Sequence, residues 1–462
     1  MPATEGDVAR DAASLLRFMR SICFRKEDIE RTHRLATNTF FGYLADLEAS
    51  TESYLQRFIK TPINPIPLLA SLDRENLLNF RLFWNKLHEF AKPVRDADTL
   101  HAPVVLIDHL EKSLTQLKGL QRAKILVYHT ARLNYLQHPR GHIREGGRRY
   151  ANMLRKLVRG RIPEFPDQLA LVAIPYSQDS VLFSNLLLCH ELGHFVFEEF
   201  AVSQMLAPHY KSSLKGLLGR NPSAMEVSWC TNRLASWSEE IFCDRFAIVL
   251  MGPAASFSYI ELFDLIGSTS DQEVEFSDSH PSDACRLYEQ IEQLNSGGWW
   301  PLLDAHDTKY AELIRRLHSV PEAKYVYDGK PRRLPGASLR AFQRVRPIIA
   351  QFVSRIFASQ EAKFRELPDL ECVTAIHNYL RRGVVPATLV KDGKAYRPDS
   401  LLLVNAAYLF YLRNVPDLIA TIKGGNAANV SQRALWGERV EQWTLKAMED
   451  LSLPSSRPQW GS

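Results

Sequence analysis

Leu186-Leu-Leu-Cys-His-Glu-Leu-Gly-His-Phe-Val-Phe197 is an apolar run interrupted by two histidines and a glutamate. Read as a helix, it is hydrophobic all round, and such a helix is buried. His190 and His194 then lie one turn apart on one face, so two imidazole nitrogens can meet one metal ion, with Glu191 beside them to activate a water. A buried histidine pair next to a glutamate needs a partner that offsets desolvation, and a zinc ion would supply it. Gly193 costs the helix about 1 kcal/mol relative to alanine, which points to close approach by another backbone.

Working outward, the pattern predicts helices from Ser180 to about Met205, from Asn232 to Met251 and from Ser282 to Leu294, with Gly252-Pro253 and Asn295-Ser-Gly-Gly298 ending the last two. The middle one carries Glu240-Ile-Phe-Cys-Asp244, two carboxylates one turn apart between apolar residues. A tetrahedral catalytic zinc takes three protein ligands and keeps one position open, so Glu240 completes a set with His190 and His194. Asp244 suits the next ring of partners, accepting the far N–H of a ligating histidine and fixing its tautomer. Cys189, Cys243 and Cys285 fall near these residues in sequence and read as small apolar filler, because the ligand set is complete without them.

These motifs resemble those of the gluzincin metallopeptidases, in which a His-Glu-x-x-His helix is followed by a helix bearing the ligand glutamate in Glu-x-x-x-Asp. Ser279-His-Pro-Ser-Asp-Ala-Cys-Arg286 narrows the resemblance to the CAAX prenyl protease and HtpX-like family, where a His-Pro is followed by an arginine six residues after the histidine. The resemblance implies that His280 donates to a developing oxyanion and that Arg286 orders the carboxylates around the zinc; a hydrolytic site needs such a donor where negative charge appears. It covers residues 186 to 290 only. Ser282, Ala284 and Cys285 stand where the family has a second proline and acidic residues. Those enzymes are typically integral to membranes, whereas no stretch here has the roughly 20 apolar residues that a span needs, so a prenylated or membrane-embedded substrate does not carry over.

The chain has 462 residues, 45% hydrophobic and 24% charged, with a net charge of +5. That composition is globular and excludes a collagen-like or mostly disordered protein. Six cysteines without a C-x-x-C pair, and an acidic N-terminus without a leader pattern, predict a reducing, cytoplasmic setting. Helical spacing also runs from Val8 to about Lys60, through Arg81–Lys92, Ile107–Leu120 and Tyr150–Val158, and through most of the chain after Trp299. The segments Thr61–Pro67, Asp328–Gly336 and Val385–Pro398 break it. Leu169–Tyr176 is a short branched-residue run that reads as a strand, confined to a sheet edge by Pro175. There it is either a buried connector or a flank on which an extended peptide could pair.

The expected fold is therefore mainly α, a helical zincin-like catalytic core with a small β element. Its regions are an N-terminal helical part (1–160), a metallopeptidase core (161–298) and a C-terminal helical part (299–462). The expected function is zinc-dependent endopeptidase action on a protein or peptide substrate: Glu191 as general base, His280 and Arg286 assisting, and Zn2+ held by His190, His194 and Glu240 with Asp244 behind them. Two alternatives stand beside it, a non-catalytic zinc-containing binding module and a nucleic-acid-binding protein. The last would use the arginines between Arg140 and Arg161 or the cluster from Lys330 to Arg346. No nucleic-acid motif accompanies either stretch, and both read as solvated basic faces. The sequence leaves the oligomeric state open.

Overall fold

A computed structural model describes residues 5–22, 35–60, 75–85, 87, 91, 94, 101–130, 136–137, 150–155, 162–166, 169–175, 181–265, 279–306, 333–358, 369–391, 393–422 and 430–452. The fold is mainly helical. It divides into two compact units, one of residues 1–104 and 122–179, the other of 105–121 and 180–462. The expected boundaries at 160/161 and 298/299 are not those of the units. The C-terminal part joins the central one because its long helix packs directly on the helix that carries Glu240.

In the first unit, α1 (Glu5–Ile22) and α2 (Leu35–Lys60) pack together. Val8, Ala12, Leu15 and Met19 recur at helical spacing and bury one stripe of α1 among Phe40, Leu44 and Leu47 of α2. Residues 75–85 and 150–155 are also helical. They bring Trp84 Nε1 within 2.8 Å of the Tyr150 hydroxyl, which lies 2.7 Å from the Thr51 hydroxyl. Thr51 spends its own proton on the Leu47 carbonyl, so Tyr150 donates to Thr51 and accepts from Trp84.

Strands β1 (Lys124–Thr130), β2 (Leu136–Gln137) and β3 (Leu169–Pro175) form a sheet in the order β1–β3–β2. β1 and β3 run parallel, from Lys124 opposite Leu169 to Thr130 opposite Pro175. The expected strand is thus present over Leu169–Pro175, but as a central strand rather than an edge. Pro175 is tolerated because it is the last residue of the strand, and β2 pairs only with Ala173 and Val172. β1 was not anticipated. Ile125, Leu126 and Val127 are all buried, so the strand is covered on both faces and lacks alternation.

In the second unit, α3 (His101–Thr115, from Val105 on) comes first in sequence. A 3-10 turn at Ser184–Leu187 then leads into α4 (Leu188–Glu199), followed by α5 (Val202–Leu214). The single helix expected to Met205 is two, because Ala201 takes the left-handed conformation with φ 50°. The central helix α6 (Ala224–Met251) starts earlier than expected, on a capping box in which the Ser223 hydroxyl and the Glu226 carboxylate satisfy each other's backbone N–H. It ends at Gly252, φ 63°, where a Cβ would stand 2.8 Å from the Trp299 ring, so only glycine fits.

Helices α7 (Pro253–Leu265), α8 (Asp283–Ser296) and α9 (Trp300–His306) follow, α8 being capped by the Ser282 hydroxyl. Then come α10 (Arg333–Ala358), α11 (Leu370–Arg381), a hairpin of β4 (Leu389–Lys391) and β5 (Lys394–Tyr396), and α12 (Ser400–Leu409). A π-helical turn at Phe410–Asn414 precedes α13 (Val415–Ile422) and α14 (Val430–Ser452). Helix already begins at Arg333, inside the expected break, and the expected break at 385–398 holds the hairpin. Helices α4, α5, α8 and α10 all pack on α6. The segment 61–67 and the tail after Leu453 lie outside the described residues. Among the described residues, no helix is long and apolar enough to cross a membrane.

Candidate metal centre

Helix α4 carries His190 and His194 on one face, as their spacing requires, with ring centroids 5.1 Å apart. It meets α6 at Gly193. A Cβ there would stand 2.7 Å from Cys243 Cα and 2.9 Å from Cys243 Cβ, so the close approach expected of this glycine is present. The contact sets the two helices near enough for their polar side chains to interlock.

Each imidazole is held through Nδ1. His190 Nδ1 lies 2.9 Å from Asp244 Oδ1, and His194 Nδ1 lies 2.9 Å from Glu239 Oε1. An ionised carboxylate only accepts, so both Nδ1 atoms donate and both Nε2 atoms face other groups, that of His190 lying 3.4 Å from Arg286 Nη2. They meet at Glu240: His190 Nε2 is 3.4 Å from Oε2 and His194 Nε2 is 3.7 Å from Oε1. His280, half-exposed ahead of α8, brings its Nε2 to 3.5 Å from Glu240 Oε1, and its Nδ1 lies 2.8 Å from the Ser279 hydroxyl. Arg286 on α8 donates through Nε and Nη2 to the two oxygens of Asp244, at 2.8 and 2.9 Å. Its Nη2 is also 3.3 Å from Glu240 Oε2, and its guanidinium lies over the Tyr259 ring.

His190, His194, Glu240, Asp244, His280 and Arg286 thus take part in one connected contact network, and the Glu191 charge acts on His194. Glu191 is buried on α4 next to His190. The sequence reading missed Glu239. Its signal was adjacency to Glu240: neighbours on a helix diverge by about 100°, so one can face each histidine. It also set aside Cys243. His190, His194 and Cys243 each bring one ligand atom within 4.8 Å of the others, a buried group able to hold a metal ion.

Charge explains why a cation suits this place. Asp244 and Glu240 flank the buried guanidinium of Arg286, and the charges of Glu191 and Glu240 reach His194, an excess of acid around the histidines. Burial works against a charged imidazole, yet the Asp244 hydrogen bond and charge, with Glu240, lift His190 to about 10. His194 is raised too, its burial outweighed by the Glu239 hydrogen bond. Burial would raise Glu240, but His190 and Arg286 hold it well below the usual carboxylate range, and Arg286 and His190 do the same for Asp244. The Cys243 thiol is pushed well above its ordinary value by burial and by the surrounding carboxylates.

Protonation of the imidazoles would add positive charge beside the carboxylates, and one divalent ion would supply such charge to the same nitrogens. Ligand atoms bound to a tetrahedral zinc at about 2.0–2.1 Å stand about 3.3–3.4 Å from one another. The separations of 3.4 and 3.7 Å across Glu240 are close to that edge. Imidazole, thiolate and carboxylate are all donors that divalent metals take, so the chemistry of these residues fits a metal ion.

The basic stretches behave differently. Of the first, Arg155 is described, and it pairs with Glu164 at 2.5 Å; Arg140, Arg144, Arg148, Arg149, Arg159 and Arg161 lie outside the described residues or carry no described side chain. In the second, Arg344 donates to the Ser213 carbonyl at 2.9 Å and Arg346 pairs with Glu289. A groove of about 750 Å³ between α8 and α10, lined by Arg245, Glu289, Arg346 and Arg355 among others, includes none of the metal-centre residues. Compared with known proteins, the chain matches no family model, no curated protein and no solved structure.

Proposed function

We propose that the protein is a zinc-dependent endopeptidase working in a reducing, cytoplasmic setting. The observation that carries this is the orientation of two imidazoles, each tied by Nδ1 to a carboxylate, with both Nε2 atoms gathered at Glu240. His190, His194 and Glu240 would hold the zinc, whose Lewis acidity lowers the pKa of water toward 7 and polarises a peptide carbonyl. Glu191 takes the proton of the attacking water and passes it to the leaving amine. His280, half-exposed at the edge of the group, donates to the oxygen that gains negative charge. Asp244 and Glu239 fix the histidine tautomers, and Arg286 holds Asp244 against His190.

The test compares new protein N-termini in cells producing the native chain with those in cells producing Glu191→Gln. Cleavages confined to the native chain are expected, falling by roughly 10²–10⁴-fold in the variant, with zinc content unchanged. Equal cleavage by both would remove Glu191 from the reaction.

A second reading has its own observation, the proximity of Cys243 to both histidines. It is a structural His190–His194–Cys243 site without hydrolysis. Cobalt substitution separates the two, because a thiolate ligand gives an intense sulfur-to-cobalt charge-transfer band and a carboxylate gives none. The peptidase reading expects no such band, and the same spectrum after Cys243→Ala.

A further inference from the structure

Glu441 lies on α14, far in sequence from the metal helix, and is buried with 9% exposure. Its Oε1 accepts the Phe183 N–H at 3.1 Å, and the Leu182 N–H also points to it. Phe183 is the residue from which the 3-10 turn starts, and that turn runs without a break into α4 and His190. The first N–H groups of a helical segment have no partner within it, and an acceptor from 258 residues away takes them here. The same point is gripped from the side. The Phe183 ring stacks on Tyr408 at 4.2 Å, with planes 4° apart, and on Tyr411 at 5.7 Å.

The charged and titratable neighbours are Glu261 from α7, Glu438 from α14 itself, and Tyr411 from the π-helical turn, with Arg433 acting on Tyr411. Glu261 in turn accepts from the Tyr408 hydroxyl at 2.5 Å. A carboxylate here is buried and faces two others.

We propose that Glu441 is a positioning residue for the metal helix: its side chain holds the backbone at Leu182 and Phe183, and its proton occupancy sets how firmly His190 and His194 keep their metal. The inference rests on the metal-centre reading above. Burial, with the Glu261 and Glu438 charges, outweighs the Phe183 and Leu182 N–H bonds, which favour the ionised form, and pushes the Glu441 carboxyl up to about 7. A carboxyl that keeps its proton to higher pH when docked than when free docks best at low pH. The docking weakens as pH rises from the ordinary carboxylate range toward 7, and above 7 the loss is complete.

The experiment loads the full chain with zinc and follows its release to an excess of chelator from pH 6 to 8, with thermal melting in parallel. Glu441→Gln keeps a neutral acceptor at every pH. It is expected to release zinc roughly fivefold more slowly than the native chain at pH 8, the low end of ordinary coupling between sites, with the gap narrowing below pH 7. Melting that shifts while release stays unchanged would confine Glu441 to holding α14 and overturn the proposal. Should Glu441→Gln not fold, Glu261→Gln serves, since removing one facing charge moves the midpoint of the native release profile to lower pH, and an unmoved midpoint overturns the proposal. A chain that retains no zinc in any form refutes the metal reading itself, whereas zinc retained equally by all forms refutes only the role of Glu441.

Discussion

Two carboxylate–guanidinium sets join α6 to α8 side by side. At Glu289, Arg245 closes on Oε2 with Nε at 2.7 Å and Nη2 at 2.6 Å, and Arg346 takes Oε1. Arg245 Nη1 finishes on Gln293 at 3.2 Å. At Glu240, the nitrogens of His190, His194, His280 and Arg286 stand off at 3.4, 3.7, 3.5 and 3.3 Å. A bridge that ties helices together closes to hydrogen-bond contact. A carboxylate ringed by basic nitrogens at a wider radius leaves the space that an ion with short bonds would fill. A buried carboxylate closed on by two arginines therefore forms a structural joint between α6, α8 and α10. One ringed by three histidines and an arginine forms a receptive centre between α4, α6 and α8, and both the spacing and the histidines separate the two.

The largest effect expected from this contrast is at the joint. Glu289→Ala leaves Arg245 buried without its carboxylate and should cost about 3–5 kcal/mol by denaturant unfolding of the metal-free chain. Glu240→Gln should cost that chain less, yet lower zinc affinity by more than the roughly hundredfold that loss of an outer partner causes; equal destabilisation by the two would erase the contrast. Next comes Glu239→Ala, which frees the His194 tautomer and should weaken zinc binding by about 10–100-fold, read by competition with a chelator. Unchanged affinity would make Glu239 a bystander. The smallest effect is that of Gly193→Ala. The clash with the Cys243 backbone outweighs the gain in helix propensity, for a net cost of about 1–2 kcal/mol on the same unfolding curve. A more stable variant would mean that the helices can separate there at no cost.

The sequence revealed those parts of the centre that are local to a helix. His190 and His194 could be paired because one turn separates them, and Glu240 and Asp244 for the same reason. Arg286 was legible only through the family resemblance that its place six residues after His280 carries. Contacts set by how helices cross were hidden. Glu239 is bound to His194, 45 positions away, and Cys243 comes near both histidines only because a glycine lets α4 and α6 touch. The strand β1 was missed because burial on both faces removes its alternation, and the division at Ala201 because a left-handed alanine leaves no mark in composition. Glu441 reads as an ordinary residue of an amphipathic helix until its partner is in view.

The meeting of Gly193 with Cys243 has a consequence for descent. A Cβ at 193 would meet the Cys243 backbone at 2.7 Å as well as its side chain at 2.9 and 3.1 Å, so position 193 cannot drift by itself, and a smaller residue at 243 relieves only the side-chain share of the clash. Gly193→Ala combined with Cys243→Gly should recover only that side-chain share of what the first change loses, and related chains, when compared, should keep glycine at the position of Gly193.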